Sequence, residues 1–593
     1  MCKRLLLVLA LLVTFPVLAA STESDKLNKL IAEDWQWQLR DNPENATYLG
    51  ERGHDDRLTD RSPEAWQKRR EHNREMLQRI EAIERTKLSA GDRLNYDLFL
   101  LQAKLAVEGD RFPYELVPVQ QMNGIYIVLG ELAQQIPRDT VKDHENFLAR
   151  MRAFPRAVDE TIALMQRGLE QGLTPPRVIL RDVAEAIANQ IADDPVQSPI
   201  YQLAFTNFRP SIPQAEQERL QKEAQRVLRD SVMPAFRKLL AYWLEYEPKT
   251  RETVGWTAVP QGKEWYPYLV RQQTTTELTP DEIHAIGLSE VKRIRGEMEK
   301  IRVQTGFTGT LEEFFTFLRT DPRFYHTTRE ELLAAYRNIA KQIDPELTRL
   351  FGRIPRLPYG VIPIPTYSEK TNTTAYYMPG SPESHRPGYY YVNLYDLPSR
   401  PKWEMEALSL HESVPGHHLQ IAIAQELEQL PAFRRNAGFT AFVEGWGLYA
   451  ESLGPELGMY TDPYSRFGQL TYQMWRAVRL VVDTGMHAKG WTRQQAIDYF
   501  VANSSKPLHD IEVEIDRYLA WPGQALAYKL GELKIKELRA NAERELGPAF
   551  DVRAFHDEVL GAGPLPLSLL ETRMKEWVRS KKGGAKATIT LRR

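Results

Sequence analysis

The sequence predicts a mainly α-helical protein, a large multi-helix body with one small β-sheet and a deep cleft. Three observations carry this. Apolar residues recur at helical spacing along most of the chain, strand-forming runs are confined to 357–393, and no Gly/Ser-rich or low-complexity linker divides the rest. With 42% apolar and 26% charged residues over 593 positions, the chain has ordinary soluble composition and enough apolar material for a large core.

At the start, Lys3 and Arg4 precede an apolar run from Leu5 to Leu18 that closes on Ala19 and Ala20, the pattern of a cleaved secretory signal over 1–20. The run is shorter than the roughly 20 residues of a membrane span. The mature protein, 21–593, is therefore expected to be exported, to the periplasm, without stable membrane insertion. Cys2, the one cysteine, lies ahead of the apolar run and not after it, so it is not placed as a lipid-attachment cysteine. The mature chain then has no disulfide or thiolate chemistry. Loss of the leader leaves 75 basic and 79 acidic residues, a balance that gives no sign of nucleic-acid binding.

From 21 to 250 the chain reads as helices with short breaks. Leu27-Leu30-Ile31-Trp35, Met76-Ile80-Ile83 and Leu220-Ala224-Val227-Leu228-Val232 are apolar stripes, and Pro234 should kink or divide the last run. The metal-site half, 251–580, opens with an aromatic segment, Gly255 to Gln273, that reads as loop or strand. Helix resumes at Thr279, an N-cap followed by Pro280 and acids. His284 in that helix is either a packed residue or a substrate contact. Val361-Ile362-Pro363-Ile364, Thr374-Ala375-Tyr376-Tyr377 and Tyr389-Tyr390-Tyr391-Val392-Asn393 predict a small antiparallel sheet.

Next comes Leu410-His411-Glu412-Ser413-Val414-Pro415-Gly416-His417-His418, which reads as a metal site. In a zinc-hydrolase helix two histidines stand at i and i+4, with a general-base glutamate after the first. Here i+4 is Pro415. On a straight helix His417 falls about 240° from His411, and His418 lies roughly 10.5 Å along the axis. Neither fits, but a two-residue bulge ending at Gly416 would carry His417 into place. A third ligand is expected 27 residues on at Glu444 in Phe442-Val443-Glu444-Gly445-Trp446, with Glu451 accepting a ring N–H from a ligand histidine. Arg476, Arg479, Asp483 and His487 share one helix face further on. They form either a salt-bridge ladder or a functional group in which Asp483 orients His487 toward an oxyanion. A basic tail, 581–593, is expected to be unstructured.

These motifs resemble the bacterial DUF885 family, whose pattern is His-Glu-x-x-Pro-Gly-His followed by Glu-Gly-Trp. The likeness continues through Thr279-Pro280-Asp281-Glu282-Ile283-His284, Arg386-Pro387-Gly388-Tyr389, Arg479-Leu480-Val481-Val482-Asp483 and Trp521-Pro522-Gly523-Gln524-Ala525. That family in turn resembles the mostly helical gluzincin peptidases, such as angiotensin-converting enzyme, thimet oligopeptidase and the thermostable carboxypeptidases. Their His-Glu-x-Gly-His signature aligns on Gly416-His417 with two inserted residues, which favours His417 over His418. The resemblance implies one Zn²⁺ on His411, His417 and Glu444, with Glu412 as general base and Tyr528 or Tyr518 stabilising the oxyanion, the role that the shared helix face offers to His487. It further implies a substrate strand laid along Tyr389 to Asn393, the alternative being a plain core strand. The expected activity is hydrolysis of short peptides in a cleft walled by the N-terminal helices, with Arg476 or Arg479 available to a terminal carboxylate. Hydrolysis of a non-peptide or cell-wall amide, or an inactive metal-binding scaffold, are the alternatives. Oligomeric state has no signature in the sequence.

Overall fold

The computed structural model describes residues 22–366, 369–381 and 386–590. The secretory signal expected at 1–20 lies outside these residues, as do 591–593. Among the described residues no helix is long and apolar enough to cross a membrane.

The N-terminal half is built from α1 (Glu23–Asp41), α2 (Pro63–Glu81), α3 (Ala90–Gly109), α4 (Val141–Glu170) and shorter helices. Local chemistry sets the ends. Thr22 and Thr140 each form a capping box with the acid three residues on, so two otherwise orphaned donors are satisfied reciprocally at α1 and α4. The run through Pro234 divides into helices Gln214–Val227 and Met233–Tyr246 around a π-helical turn at Leu228–Val232. Pro234 falls in the first turn of the second helix, where its missing N–H leaves no bond unmade.

The aromatic segment departs from expectation. Gly262–Thr274 forms a helix, α5, with Pro267 inside it. Trp265, Tyr266, Tyr268 and Leu269 are buried there, and burial of so much aromatic surface outweighs a proline that costs one backbone hydrogen bond. The next helix, α6 (Pro280–Gln304), starts at Thr279 with a capping box to Glu282.

Three strands follow: β1 (Tyr359–Pro363), β2 (Ala375–Met378) and β3 (Gly388–Val392). The sheet is mixed, not antiparallel. Its order is β1-β3-β2, with β3 parallel to β1 and antiparallel to β2. The chain reverses twice, and β3 enters between its predecessors because it has the most to bury: Tyr390 and Val392 are fully enclosed. This corrects the reading of Tyr389 to Asn393 as a substrate-pairing strand. Residues 389–392 are bonded on both sides, and Asn393 donates its N–H to the Thr374 carbonyl.

Beyond the sheet run α7 (Met405–Glu412), α8 (His417–Gln425), α9 (Thr440–Ser452), α10 (Pro463–Ala488), α11 (Leu508–Ala520), α12 (Ala527–Leu546) and α13 (Leu567–Thr590). Almost every side chain of α10 is buried, making it the central rod. Along it lies α6, brought close at Gly287, where a Cβ would stand 2.8 Å from Leu480 Cβ. Lys529 of α12 is fully buried and bridges Glu532 at 2.7 Å and Glu290 of α6 at 3.0 Å, so its charge is matched where water cannot reach. Helix α13 continues to Thr590 through most of the tail expected to be unstructured; extending an existing helix avoids the cost of nucleation. Most buried apolar residues from Leu27 to Val578 form one contiguous cluster shared by both halves, and a smaller one gathers around Trp256, Trp265 and Tyr266.

Candidate metal centre

His411 and Glu412 are the last two residues of α7, and His417 is the first of α8. The proline inserted between the histidines does not bulge a continuous helix; it ends one and lets another begin. Ser413 to Gly416 make the turn, closed by the His418 N–H donating to the Ser413 carbonyl at 3.0 Å. Gly416 lies directly over the end of α7: a Cβ there would sit 1.9 Å from the His411 carbonyl oxygen, so no other residue fits without moving the turn. The two histidine rings come to rest 4.7 Å apart and nearly perpendicular.

Helix α9 supplies the third donor, and the residues around it have separable tasks. Glu444 Oε2 lies 3.5 Å from both His411 Nε2 and His417 Nε2. Gly445 meets Gly531 of α12, where a Cβ on Gly445 would be 2.5 Å from Gly531 Cα. The Trp446 indole N–H donates to the Pro415 carbonyl at 2.8 Å and so pins the turn between the histidines. Gly447 makes room for His411, whose ring atoms begin 2.8 Å from where a Cβ would stand. One turn on, Glu451 accepts from His411 Nδ1 at 2.8 Å, which fixes the tautomer and aims Nε2 at Glu444.

The donor set fits a metal. The three donor atoms lie within 4.8 Å of one another, and Glu444 Oε2 is buried without a hydrogen-bond partner. Ligand atoms about 2.05 Å from a tetrahedral zinc stand about 3.3 Å apart. The 3.5 Å spacings approach that value and are long for hydrogen bonds. Burial disfavours a charged His411, but Glu444 and Glu451 outweigh it and raise its pKa to about 9. Burial would likewise raise Glu444, yet His417 and His411 hold it well below the usual carboxylate range. Glu412 is 8% exposed, and no side chain among the described residues hydrogen-bonds or ion-pairs with its carboxylate.

The remaining candidates separate cleanly. His418 faces the sheet: Nδ1 accepts from the Tyr377 hydroxyl at 2.8 Å and Nε2 donates to the Leu357 carbonyl at 3.0 Å. His487 is a structural residue, which corrects its assignment to the oxyanion. Its Nδ1 accepts from the Trp256 N–H and its Nε2 donates to the Tyr518 carbonyl, leaving no ring nitrogen for a substrate. Nor does Asp483 orient it; Asp483 accepts from the Tyr266 hydroxyl at 2.6 Å and from the Gly523 N–H. Burial pushes the Asp483 carboxyl up to about 7 against those bonds. His284 is bonded to Thr484 Oγ1 at 2.8 Å and packs edge-on against Trp491.

Tyr528 is linked to the trio through Arg476 and Glu451. Arg476 is 3.6 Å from Glu451 and 5.9 Å from the Tyr528 ring centre, while Arg479 stacks on that ring at 4.4 Å. Sequence reasoning missed Glu514 and Arg517, which complete this group: Glu514 Oε2 accepts from Arg479, Arg517 and the Tyr518 hydroxyl. The i+3 and i+4 spacing of Glu514, Arg517 and Tyr518 was the available signal.

Among solved structures the chain is similar to a Colwellia psychrerythraea protein described as a candidate lipoprotein, with 29% identity, a TM-score of 0.90, and 94% of this chain and 100% of that one covered. It also shares its fold with a Shewanella oneidensis protein described as a candidate lipoprotein of unknown function, at 17% identity, a TM-score of 0.66 and the same coverage. No curated protein matches. The sequence pattern of one family spans residues 43–574, taking in α7, the turn, α8 and α9 together with the rod and the N-terminal helices. The chain belongs to that family, the bacterial proteins of unknown function designated DUF885.

Proposed function

We propose that the mature chain is an exported, gluzincin-like hydrolase that cleaves peptide bonds of short peptides, with zinc held by His411, His417 and Glu444. The observation that carries this reading is the spacing of three donor atoms with an unpaired carboxylate, Glu412, on the residue beside the first of them. A zinc ion bound there would supply Lewis acidity, polarising the substrate carbonyl and making water acidic enough to attack near neutral pH. Glu412 takes the proton of the attacking water and returns it to the departing amine, so the peptide C–N bond breaks while water is divided between the two products. Glu451 keeps the His411 Nδ1 proton in place, and Arg476 beside it balances the Glu451 charge. The Tyr528 hydroxyl donates to the carbonyl oxygen as charge develops on it. Export is supported by the leader pattern and by the similar Colwellia psychrerythraea structure described as a candidate lipoprotein, and a periplasmic substrate is part of this reading.

The test is incubation of the zinc-loaded protein with unstructured peptides of roughly 3 to 15 residues, followed by mass spectrometry. Glu412→Gln keeps shape and zinc but has no base, so turnover should fall by about 10²- to 10⁴-fold. Turnover near that of the parent protein removes Glu412 from the chemistry.

A further inference from the structure

Three guanidinium groups stand behind Tyr528 with less negative charge than they need. Arg476, Arg479 and Arg517 are 5%, 3% and 7% exposed. Among the described residues, Glu514 is the only carboxylate within 4 Å of Arg479 or of Arg517, and it serves both, at 3.0 and 3.2 Å. Burial would neutralise Glu514, but Arg517 and Arg479 overcome that and hold its pKa at about 2, so this carboxylate is ionised and Arg479, Arg517 and Glu514 together carry one positive charge in excess. Among the described residues, Glu451 is the only carboxylate within 4 Å of Arg476, at 3.6 Å, and Glu451 is already bonded to His411. Donors are left over: Arg476 Nε, Arg479 Nη1 and Arg517 Nε are buried without a hydrogen-bond partner. A buried cation in excess of its partners is strongly unfavourable, and an anion arriving there gains what the free protein lacks.

A cavity of about 600 Å³ has in its wall Gln524, a hydrogen-bond partner of Arg517. It lies between the N-terminal helices and the metal-site half and is walled by Trp66, Trp265, Tyr268, Trp521, Gln273 and Gln524. Gln524 Oε1 accepts from Arg517 Nη1 at 3.0 Å, and its amide reaches the Tyr528 hydroxyl at 3.5 Å. Gln273 accepts from the hydroxyl of Thr440, one helical turn before Glu444 on α9. Two glutamines of the cavity wall are thus bonded, one to Arg517 and the other to the first residue of α9.

We infer that Arg479 and Arg517, with Arg476 behind them, bind the terminal carboxylate of the substrate, so that the substrates are peptide acids cleaved next to their free C-terminus. Resting on the zinc-peptidase reading, this narrows it to one substrate class: water adds across the last peptide bond, releasing one amino acid and a peptide shortened by one residue. Planar guanidinium pairs match a carboxylate through parallel N–H donors, which a neutral amide at the same position cannot use.

The experiment separates binding from turnover. Equilibrium binding of a tripeptide acid and of its C-terminal amide is measured calorimetrically on zinc-loaded Glu412→Gln protein, then repeated with Arg479→Gln and Arg517→Gln added singly. The acid should bind about 100-fold more tightly than the amide, and either arginine change should reduce that preference to below about tenfold. Equal binding of acid and amide in the Glu412→Gln protein overturns the inference, whether or not the arginine variants fold. A preference that survives both arginine changes overturns it too, because the carboxylate is then held elsewhere. Acid preference without any peptide turnover in the parent protein would sink the peptidase reading and leave the carboxylate site standing; turnover of amides and acids alike would do the reverse.

Discussion

His417 and His418 are neighbours in sequence and opposite in surroundings. His417 turns Nε2 toward Glu444, whereas His418 is bonded at both nitrogens to Tyr377 and the Leu357 carbonyl. Metal analysis of single variants should therefore find about one zinc per chain in the parent protein, loss of it in His411→Ala, His417→Ala and Glu444→Ala, and retention in His418→Ala. Full occupancy in His417→Ala would show the trio to be misassigned. At this scale the grouping of His411, His417 and Glu444 was legible, because a His-Glu pair, a Gly-His and a Glu-Gly-Trp are types and spacings expected to converge. His487 was not. A buried histidine held by two backbone groups and a catalytic one present the same letter in the sequence, and only the Trp256 N–H and the Tyr518 carbonyl, far away along the chain, tell them apart.

Among the elements, the contact of α9 with α12 positions Glu444, and it depends on two glycines facing each other. A Cβ on Gly531 would stand 1.9 Å from the Ala441 carbonyl oxygen, against helix backbone that cannot rotate away. Gly531→Ala should lower stability by about 1–3 kcal/mol and weaken zinc retention, because α9 must shift bodily. Thermal unfolding with and without added zinc is the check, and an unchanged midpoint and zinc affinity would mean that the helices separate without consequence. Helices and strands were readable from periodicity, but their partners were not. Nothing local in Tyr389 to Val392 says that β3 enters between β1 and β2, since strand order follows from which strand buries most once all three exist. The helix at Gly262–Thr274 was hidden for a related reason: Pro267 and the aromatic residues argue locally against helix, and tertiary burial overrides them.

The whole molecule should respond to acid through histidines that are not donors of the centre. His487 and His556 are enclosed, each with one nitrogen accepting and the other donating to a backbone carbonyl, an arrangement only the neutral ring can make. Burial lowers both to about 4, below the value near 6.5 of an unfolded chain. The sign follows. Above pH 6.5 both states hold neutral rings and the stability is fully present; below it the unfolded chain takes up protons that the folded one refuses. Stability is then lost as pH falls toward 4, by up to about 3 kcal/mol per ring. Urea unfolding midpoints should drop across this window in the parent protein and drop less steeply in His556→Gln. An equally steep profile in both would assign the acid sensitivity to other groups.

The first two residues of α8 also have a metrological side. Consecutive Cα atoms are 3.8 Å apart, and here one of two consecutive residues is fastened to the sheet while the other carries a donor of the centre. The sheet and the donor trio are in effect measured from a single datum, the peptide unit joining His417 to His418. Errors in placing one against the other do not accumulate through a loop of many soft dihedrals. A change that loosens the Tyr377 bond would therefore be read at Glu444 as a calibration error, although no atom of the centre had been altered.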